Sequence, residues 1–421
     1  MTDYAHHFSE SNIPFGIASS SSHPQKSVAT RFENTIIFLD ELAKHSHLST
    51  LHSSTIQTFS EPYLNPFIAL PKSEHTETRR RIQALLSSQS ILASSSCPLE
   101  QVTLHFPIQV GDFTDFSCSR DHVLNASEAV FGTRTLPPGF EHFPVGYHGR
   151  CSTIVVSGTD VIRPKGQYKN ADGNVVFGET GRLDYELEIG AVTRQARALE
   201  PGESVGIEEA DEWIFGVCLV NDWSARDIQS LEMTPLGPMN GKSFFTSISP
   251  WIITLDALST FKVPAPPRNP DVELPGYLQD PDQKPSYDLS LKAELTPTGV
   301  ENASVICESK FGDLYWTLRD LVAQQTINGC TLRTGDLLAT GTVSGSTPES
   351  HGCLMEIAAK GGVNVLDAKG KKEKKICAIA GLGVGFGECV GKVVPRLKFN
   401  SRLEHGLTEL DSDLNEVSLT P

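Results

Sequence analysis

The chain has 421 residues, a formal net charge of -16 and a hydrophobic content of 39%. This length exceeds one ordinary domain, and the composition is typical of a globular protein with a substantial core, so we expect two domains. The acidic charge disfavours nucleic acid and anionic lipid as partners, because both are polyanions. No apolar run approaches the ~20 residues of a membrane helix, and the N-terminus lacks a signal-peptide pattern. We therefore expect a cytoplasmic protein with neither a nucleic-acid nor a membrane partner.

The nine cysteines are scattered along the chain, and no two are spaced as Cys-x-x-Cys. Their odd number and spacing disfavour a disulfide framework and a zinc ribbon. We therefore expect reduced thiols.

Residues 1–110 carry short apolar runs and serine-rich loops but no chemical motif, and a helix is predicted within residues 60–86. Residues 111–399 are dominated by strand signals, which glycine and proline interrupt at intervals too short for regular βαβ units. A second helix is predicted within residues 314–328. Residues 400–421 are polar and acidic, so we expect a frayed tail. These patterns predict a mostly β, α+β protein with a domain boundary near residue 110.

Two glutamates, Glu186 and Glu188, stand two residues apart in an apolar run that reads as a strand. A strand sends alternate side chains to one face, so both carboxylates are expected to aim at a single point, as half of a hard-cation site would require. The alternative is a half-exposed strand with a charged outer face. These two residues alone leave both interpretations open.

Two further clusters combine acids with bases. Residues 112–122 place Asp115 and His122 close together in what reads as a polar turn, where such residues also serve as caps or solvated side chains. A buried strand ends at Asp222, before a turn that looks helical and on which Asp222, Arg226 and Gln229 share a face. Strand ends are frequent binding positions, because the scaffold fixes the side chains while loops admit a ligand.

In these motifs the chain resembles the fumarylacetoacetase (fumarylacetoacetate hydrolase) family, the carbon–carbon bond hydrolases of tyrosine and phenylalanine catabolism. The resemblance extends in one order over most of the chain, through residues 112–122, 144–150, 184–188, 221–229, 235–238, 241–244, the Gly341-Thr342 region and residues 385–387. It implies a small SH3-like N-terminal β domain, a catalytic domain built as a mixed β-roll, and a homodimer.

The resemblance also implies that four carboxylates hold a divalent cation: Asp115, Glu186, Glu188 and Asp222. A second, smaller cation is implied near Asp222, Lys242 and Thr246. Oxygen-only ligation suits Ca²⁺ and/or Mg²⁺. Four carboxylates around one dication leave a formal charge near minus two, which would repel an acidic substrate, so Lys242 and Arg226 are expected to compensate it.

The implied substrate is an acidic β-diketone whose ketone oxygens bind the cation, which activates one carbonyl and stabilises the departing enolate. His122, oriented by Glu356, is implied as the base that takes a proton from water. Arg226, Gln229 and Lys242 complete the implied catalytic set, with Gln229 and Lys242 stabilising the oxyanion. The resemblance places further residues in the substrate pocket: Tyr147, Gln229 and Thr342.

Three departures from the family concern substrate recognition. Ser117 and Met233 stand where the family has tyrosines, so two phenols are lost from the pocket. The family's arginine for the substrate carboxylate is out of register here, and Arg134 is predicted to replace it from a position two residues away. Bidentate pairing is geometrically strict, so a displaced guanidinium is expected to meet a differently placed acid.

Hydrolysis of fumarylacetoacetate to fumarate and acetoacetate is therefore the leading functional prediction. The enzymatic alternative is a paralogue that applies the same metal-enolate chemistry to acylpyruvate hydrolysis, decarboxylation, tautomerisation or carbon–carbon bond formation. The alternative of another class is a non-catalytic binding relative. This is disfavoured because His122, Glu356 and the four acidic residues all remain, although their mutual repulsion is costly without catalysis.

Overall fold

A computed structural model describes residues 4–88, 92–296, 304–359, 373–379, 385–391 and 393–394. The predicted tail, residues 400–421, lies outside the described residues. The predicted domain limits therefore stay a prediction, although the N-terminal part of the chain is β-rich, as expected.

The N-terminal part is an antiparallel sheet of five strands in the order β4-β3-β2-β1-β5. The strands are β1 Gly16–Ser20, β2 Ser27–Phe32, β3 Thr35–Phe38, β4 Ser96–Pro98 and β5 Val102–His105. Four helices lie between β3 and β4: α1 Leu39–Lys44, α2 Ser53–Thr58, α3 Asn65–Ile68 and α4 Lys72–Leu85. The predicted helix within residues 60–86 is confirmed as α3 and α4. Pro71, whose backbone is extended (φ -56°, ψ 145°), separates them.

The rest of the described chain is also mainly strand. Its strands are β6 Phe113–Phe116, β7 Gly146–Gly149, β8 Ile154–Val156, β9 Val161–Ile162, β10 Lys165–Lys169, β11 Val175–Glu179, β12 Leu183–Asp184, β13 Leu187–Thr193, β14 Ile214–Asp222, β15 Ser224–Ala225, β16 Thr246–Ile248, β17 Ile253–Thr254, β18 Lys262–Val263, β19 Ser286–Tyr287, β20 Ser290–Thr296, β21 Ser304–Lys310, β22 Leu337–Ala339, β23 Glu373–Ile379, β24 Gly385–Gly391 and β25 Val393–Val394. Its helices are α5 Arg120–Phe131, α6 Arg226–Glu232, α7 Leu255–Leu258, α8 Leu318–Thr326 and α9 Leu354–Ala359.

Eight strands form the mixed sheet that carries the site. Their order is β7-β6-β22-β13-β14-β16-β8, and β17 also pairs with β14. The pairs β22/β6 and β16/β8 are parallel, and the other pairs of this sheet are antiparallel. A second sheet has the order β21-β20-β23-β24, and the remaining strands form two-stranded pairs. The predicted α+β class with a mixed catalytic sheet is confirmed.

The N-terminal part packs directly against this mixed sheet. The backbones of Phe15 and Ile252 exchange two hydrogen bonds of 3.0 and 2.8 Å. The ring of Phe15 lies 4.9 Å from that of Phe67 and 6.1 Å from that of Phe215, measured between centroids. All nine residues of β14 are buried, because alternate side chains enter two different apolar clusters. This packing fixes the strands whose ends reach the site.

Helix predictions had mixed outcomes in this region. The helix predicted within residues 314–328 is confirmed as α8, where Thr317 and Asp320 form a capping box. The helical turn predicted after Asp222 is confirmed as α6, which carries Arg226 and Gln229. The prediction that Asp222 shares a face of this turn is wrong, because Asp222 is the last residue of β14. The polar turn predicted for residues 112–122 is wrong, because this segment contains β6 and the first turn of α5. The hydroxyl of Ser119 caps α5 by accepting the backbone N–H of His122 at 3.1 Å.

Eight cysteines of the described residues take part in no disulfide, and most of them are buried. The reduced state of the thiols stays a prediction. Among the described helices, none combines the length and the apolar character that crossing a bilayer requires.

Candidate active site

Four buried carboxylates converge at one end of the mixed sheet. They come from β6, from the residue before β13, from β13 itself and from the end of β14, and one oxygen of each lies within 4.8 Å of the others: Asp115, Glu186, Glu188 and Asp222. We call these four residues the carboxylate cluster. Glu188 is 0% exposed, and the other three are also buried. The alternative of a charged, half-exposed strand is therefore wrong.

Sheet register explains why these carboxylates meet. Glu188 pairs with Val220 across β13 and β14, so Asp222, two residues after Val220, has its side chain on the same face as Glu188. Asp115 pairs with Ala339 on the neighbouring strands β6 and β22. Deeper along these strands the face is filled by an apolar cluster that includes Phe113 and Cys218. The face changes from apolar to acidic where the strands end, and this confines the charges to one place.

Two cations lie against the carboxylate cluster. The Nζ of Lys242 is 2.5 Å from both Glu186 Oε2 and Asp222 Oδ2, and the Nη2 of Arg226 is 2.7 Å from Glu186 Oε1. Burial alone would raise the pKa of Glu186, but Lys242 and Arg226 hold that pKa far below its ordinary value. Glu186 is therefore ionised and already paired.

Burial raises the pKa of Asp222 even beside Lys242, and the upward shift is stronger at the two carboxylates that lack a cation partner. Burial, with the charges of the neighbouring carboxylates, raises the pKa values of Asp115 and Glu188 well above their ordinary range. Both oxygens of Glu188 and the Oδ1 of Asp115 are buried and accept no hydrogen bond from any described residue. Buried carboxylate oxygens without donors are costly, and a bound hard cation is the partner they suit best. The cluster thus has the donor set to hold a divalent cation.

The residues predicted for a second cation form one contact chain. Thr246 Oγ1 donates to Asp222 Oδ1 at 3.0 Å, and Lys242 contacts the other oxygen of Asp222. Asp222 and Glu186 raise the pKa of Lys242 although burial opposes this, so its side chain is an ammonium. A protonated Nζ has no lone pair for a metal. Lys242 can therefore only neighbour a cation through this atom, and the second cation stays a prediction.

A histidine–glutamate pair lies beside the cluster, between helices α5 and α9. His122 Nδ1 is 2.8 Å from Glu356 Oε2, and Glu356 is fully buried. The same carboxylate accepts hydrogen bonds from Ser344 Oγ at 2.7 Å and Asn125 Nδ2 at 2.9 Å. Burial opposes the charge of Glu356, yet His122 and these donors lower its pKa to about 2. Burial lowers the pKa of His122, but the Glu356 charge outweighs it and raises that pKa above 6.5.

Three contributors to this site were missed in the sequence. Asn125 and Ser344 orient Glu356, and Asp184 accepts Arg226 Nε at 2.8 Å together with the backbone amides of residues 354 and 355 at 2.6 and 3.0 Å. Asp184 thus joins α6 to the start of α9. Asp184 could have been found in the sequence from its position two residues before Glu186. Asn125 could have been found from its position three residues after His122, which places both on the same face of a helix.

Comparison with known proteins gives two family models that together span most of the chain. The model described as fumarylacetoacetase N-terminal matches residues 11–107, and the model described as fumarylacetoacetate (FAA) hydrolase C-terminal matches residues 112–381. Fumarylacetoacetases of Arabidopsis thaliana and Bos taurus are each 38% identical, over 92% of this chain and 96% of the relative. The chain belongs to the fumarylacetoacetate hydrolase family. Membership of this catalytic family confirms the prediction of an enzyme.

Solved structures agree at the level of the fold. The structure titled fumarylacetoacetate hydrolase from Exiguobacterium antarcticum has a TM-score of 0.50 at 15% identity and covers 91% of this chain and 100% of its own. A putative HpcE protein from Mycobacterium smegmatis has a TM-score of 0.51 at 19% identity, with 90% and 99% covered. At these identities the likeness supports the fold alone.

Two of the substrate residues predicted from the fumarylacetoacetate hydrolase resemblance contact the cluster or its cations. Tyr147 OH donates to Asp222 Oδ2 at 3.1 Å, and Gln229 Oε1 accepts from Arg226 Nη1 at 3.0 Å. Thr342 is buried, and its hydroxyl has no partner among the described residues. A cavity of about 270 Å³ is lined by Tyr147, Asp222 and Lys242, among other residues. The assigned roles of these residues stay predictions.

The departures from the fumarylacetoacetate hydrolase pattern lie at the edge of this site. Met233 follows α6 and is 48% exposed, and Ser117 follows β6 and is partly buried. The guanidinium of Arg134 contacts Asn125 Oδ1 and lies 3.8 Å from Asp121 and 3.5 Å from Glu128. Asn125 therefore links Arg134 to Glu356 through two hydrogen bonds. The contact of Arg134 with substrate stays a prediction.

Proposed function

We propose that this chain hydrolyses the carbon–carbon bond of fumarylacetoacetate that separates fumarate from acetoacetate. The observation that carries the proposal is the buried carboxylate cluster placed beside a hydrogen-bonded His122–Glu356 pair. The identity of 38% to fumarylacetoacetases over 92% of the chain supports the same substrate. A cytoplasmic homodimer is part of this proposal and rests on the family resemblance.

His122 is the proposed general base. Its Nδ1 faces Glu356, which leaves Nε2 to accept a proton from water. The resulting hydroxide adds to the ketone carbon, and the tetrahedral intermediate breaks its bond to the next carbon. The bonding electrons pass into the enolate of acetoacetate, and the proton held by His122 returns to that carbon. One water is consumed, and fumarate and acetoacetate are released.

Gln229 and Lys242 are the proposed donors to the developing oxyanion. The Oε1 of Gln229 is occupied by Arg226, so the amide NH₂ of Gln229 is the part of this side chain that can donate. The ammonium of Lys242 and the guanidinium of Arg226 also reduce the negative charge of the cluster, which allows an acidic substrate to approach. Donors fixed in a buried site stabilise an oxyanion without reorganising.

We propose Ca²⁺ or Mg²⁺ as the cation of the carboxylate cluster, held by the four oxygen ligands Asp115, Glu186, Glu188 and Asp222. A bound cation supplies Lewis-acid polarisation of the ketone oxygens. The proposed smaller cation beside Asp222 and Thr246 supports the arrangement of the first.

The charge of Glu356 should set the acid limb of the pH–rate profile. The base acts in its neutral form, so kcat/KM rises with pH through the His122 pKa, which Glu356 holds above 6.5. In Glu356→Gln this charge is lost, so the limb should move to lower pH. Glu128→Gln removes a carboxylate from the same helix as His122 and should leave the limb in place. An unmoved limb in Glu356→Gln would contradict this coupling.

The direct test is product analysis with fumarylacetoacetate and with several acylpyruvates. After exhaustive chelation we expect no cleavage, and added Mg²⁺ or Ca²⁺ should restore release of fumarate and acetoacetate. Full turnover by the chelated protein would exclude the metal-dependent mechanism.

A paralogue with a different substrate is the second candidate. It is favoured by Ser117 and Met233, which replace two phenols of the family pocket, and by the acidic partners that Arg134 already has. Cleavage of an acylpyruvate but not of fumarylacetoacetate would select this candidate. Failure to cleave any of these compounds would count against both proposed functions, fumarylacetoacetate hydrolysis and acylpyruvate hydrolysis.

A further inference from the structure

Glu232, the last residue of α6, accepts hydrogen bonds from three successive backbone amides. Its Oε2 accepts from Met239 N at 3.0 Å and Gly241 N at 2.9 Å, and its Oε1 accepts from Asn240 N at 3.0 Å. Successive amides directed at one anion form a favourable charge-assisted arrangement. We call this set of contacts the Glu232 clamp.

The segment held by the clamp leads directly to Lys242. Gly241 lies on the helix turn that carries Gln229, so closely that a Cβ at Gly241 would be 2.6 Å from the Gln229 Cα. The carbonyl of Gly241 also accepts the backbone N–H of Ala225 at 2.8 Å. The backbone of Lys242 is thereby fixed relative to α6, whose side chains include both Arg226 and Gln229.

The clamp bypasses an exposed loop. Residues 233–240 connect α6 to Gly241, and within this loop Leu236 is 96% exposed and Met239 is 68% exposed. A backbone hydrogen bond of 3.1 Å from Gly237 N to Met233 O closes the first part of the loop on itself. At the other end of the loop, the carbonyl of Met239 accepts the backbone N–H of Lys242 at 3.2 Å and that of Ser243 at 2.8 Å. Glu232 joins the two ends of the loop, so the segment that bonds the Lys242 backbone is itself fixed to the end of α6.

We propose that Glu232 is a positioning residue, which holds Lys242 against Glu186 and Asp222 in the geometry that stabilises the transition state. This proposal rests on the proposed function, because it takes the oxyanion role of Lys242 from there. Glu232 touches backbone amides alone in the described contacts, so it acts through Lys242 and not on the substrate.

Glu232→Gln is the most informative substitution, because it keeps the size of the side chain and leaves one oxygen to accept a backbone hydrogen bond. The new NH₂ group would face a backbone N–H, so at least one clamp contact is lost. We expect kcat to fall on the order of 10-fold, because small misplacements of a catalytic group are costly, while KM changes by less than about two-fold. Glu203→Gln is the matched control. Glu203 accepts the backbone N–H of Glu200 at 2.8 Å in a loop away from the cluster, and its loss should leave kcat unchanged.

A double-mutant cycle with Lys242→Met separates positioning from general destabilisation. In the Lys242→Met background, Glu232→Gln should reduce the remaining kcat by less than about two-fold, because the group it positions is gone. An equal loss of kcat in both backgrounds would overturn the proposal. An unchanged kcat in the Glu232→Gln single variant would also overturn the proposal.

Hydrogen exchange provides a readout that does not depend on activity. The amides of residues 239–241 should exchange faster in Glu232→Gln than in wild type, while those of β14 keep their protection. Unchanged exchange at residues 239–241 would show that no clamp exists. If wild type failed to cleave any substrate while these amides lost protection, the proposed function would fail and the Glu232 clamp would stand.

Discussion

Glu188→Gln should weaken binding of Mg²⁺ or Ca²⁺ by at least roughly 100-fold, since a direct ligand should matter more than the outer-shell partners whose loss costs 10–100-fold. In the cation-free protein the same substitution should raise the thermal unfolding midpoint. Four carboxylates within 4.8 Å repel one another, and neither oxygen of Glu188 has a compensating donor among the described residues. Above its ordinary pKa, Glu188 either keeps a repelled charge or takes up a proton in the folded state, and both cost stability. Glutamine removes this cost and also removes a ligand, so the two effects have opposite signs.

Calorimetric titration and thermal unfolding, each with and without added cation, measure these effects. Glu208→Gln removes an exposed carboxylate from the same chain and should change neither quantity. A Glu188→Gln protein that binds the cation as tightly as wild type would remove Glu188 from the ligand set. A lower unfolding midpoint of the cation-free variant would contradict the claim that the cluster is electrostatically strained.

The spacing of Glu186 and Glu188 predicted the acidic site correctly in part. The two side chains do meet, but Glu186 lies between β12 and β13 and not within a continuous strand. Burial was not predictable from two residues, because it depends on β14 and β22 covering the flanks of β13. The inclusion of Asp115 came from the family resemblance, since it depends on β6 pairing with a strand more than 200 residues later.

Local patterns predicted helices α4, α6 and α8. Two of these have a boundary signal in their own sequence, which is Pro71 before α4 and the Thr317–Asp320 capping box of α8. They did not predict α5, whose first turn is rich in polar residues that also fit a turn. The contacts of Asp184 and Glu232 with backbone amides were equally invisible. A carboxylate that accepts main-chain hydrogen bonds looks, in sequence, like any solvated acid, because the donors carry no residue signature.

His122→Ala should reduce kcat/KM by about 10²–10⁴-fold, the range expected for loss of a general base. The substitution removes the imidazole ring that Glu356 orients beside the carboxylate cluster. It should leave cation affinity nearly unchanged, since His122 is not among the four acidic residues of that cluster. Steady-state kinetics with fumarylacetoacetate, together with calorimetric titration of Mg²⁺ or Ca²⁺, measure both properties in the same variant.

His142→Ala provides the matched control, because His142 is an exposed histidine outside this pair. Its kinetics should match those of wild type. A wild-type rate in His122→Ala would remove this residue from the role of base. A parallel loss of rate and cation affinity would instead mean that the ring supports the carboxylate cluster, since removing a base alone leaves the ligand oxygens in place. The combination of a large rate loss with intact cation binding is therefore what distinguishes proton transfer from support of the metal site.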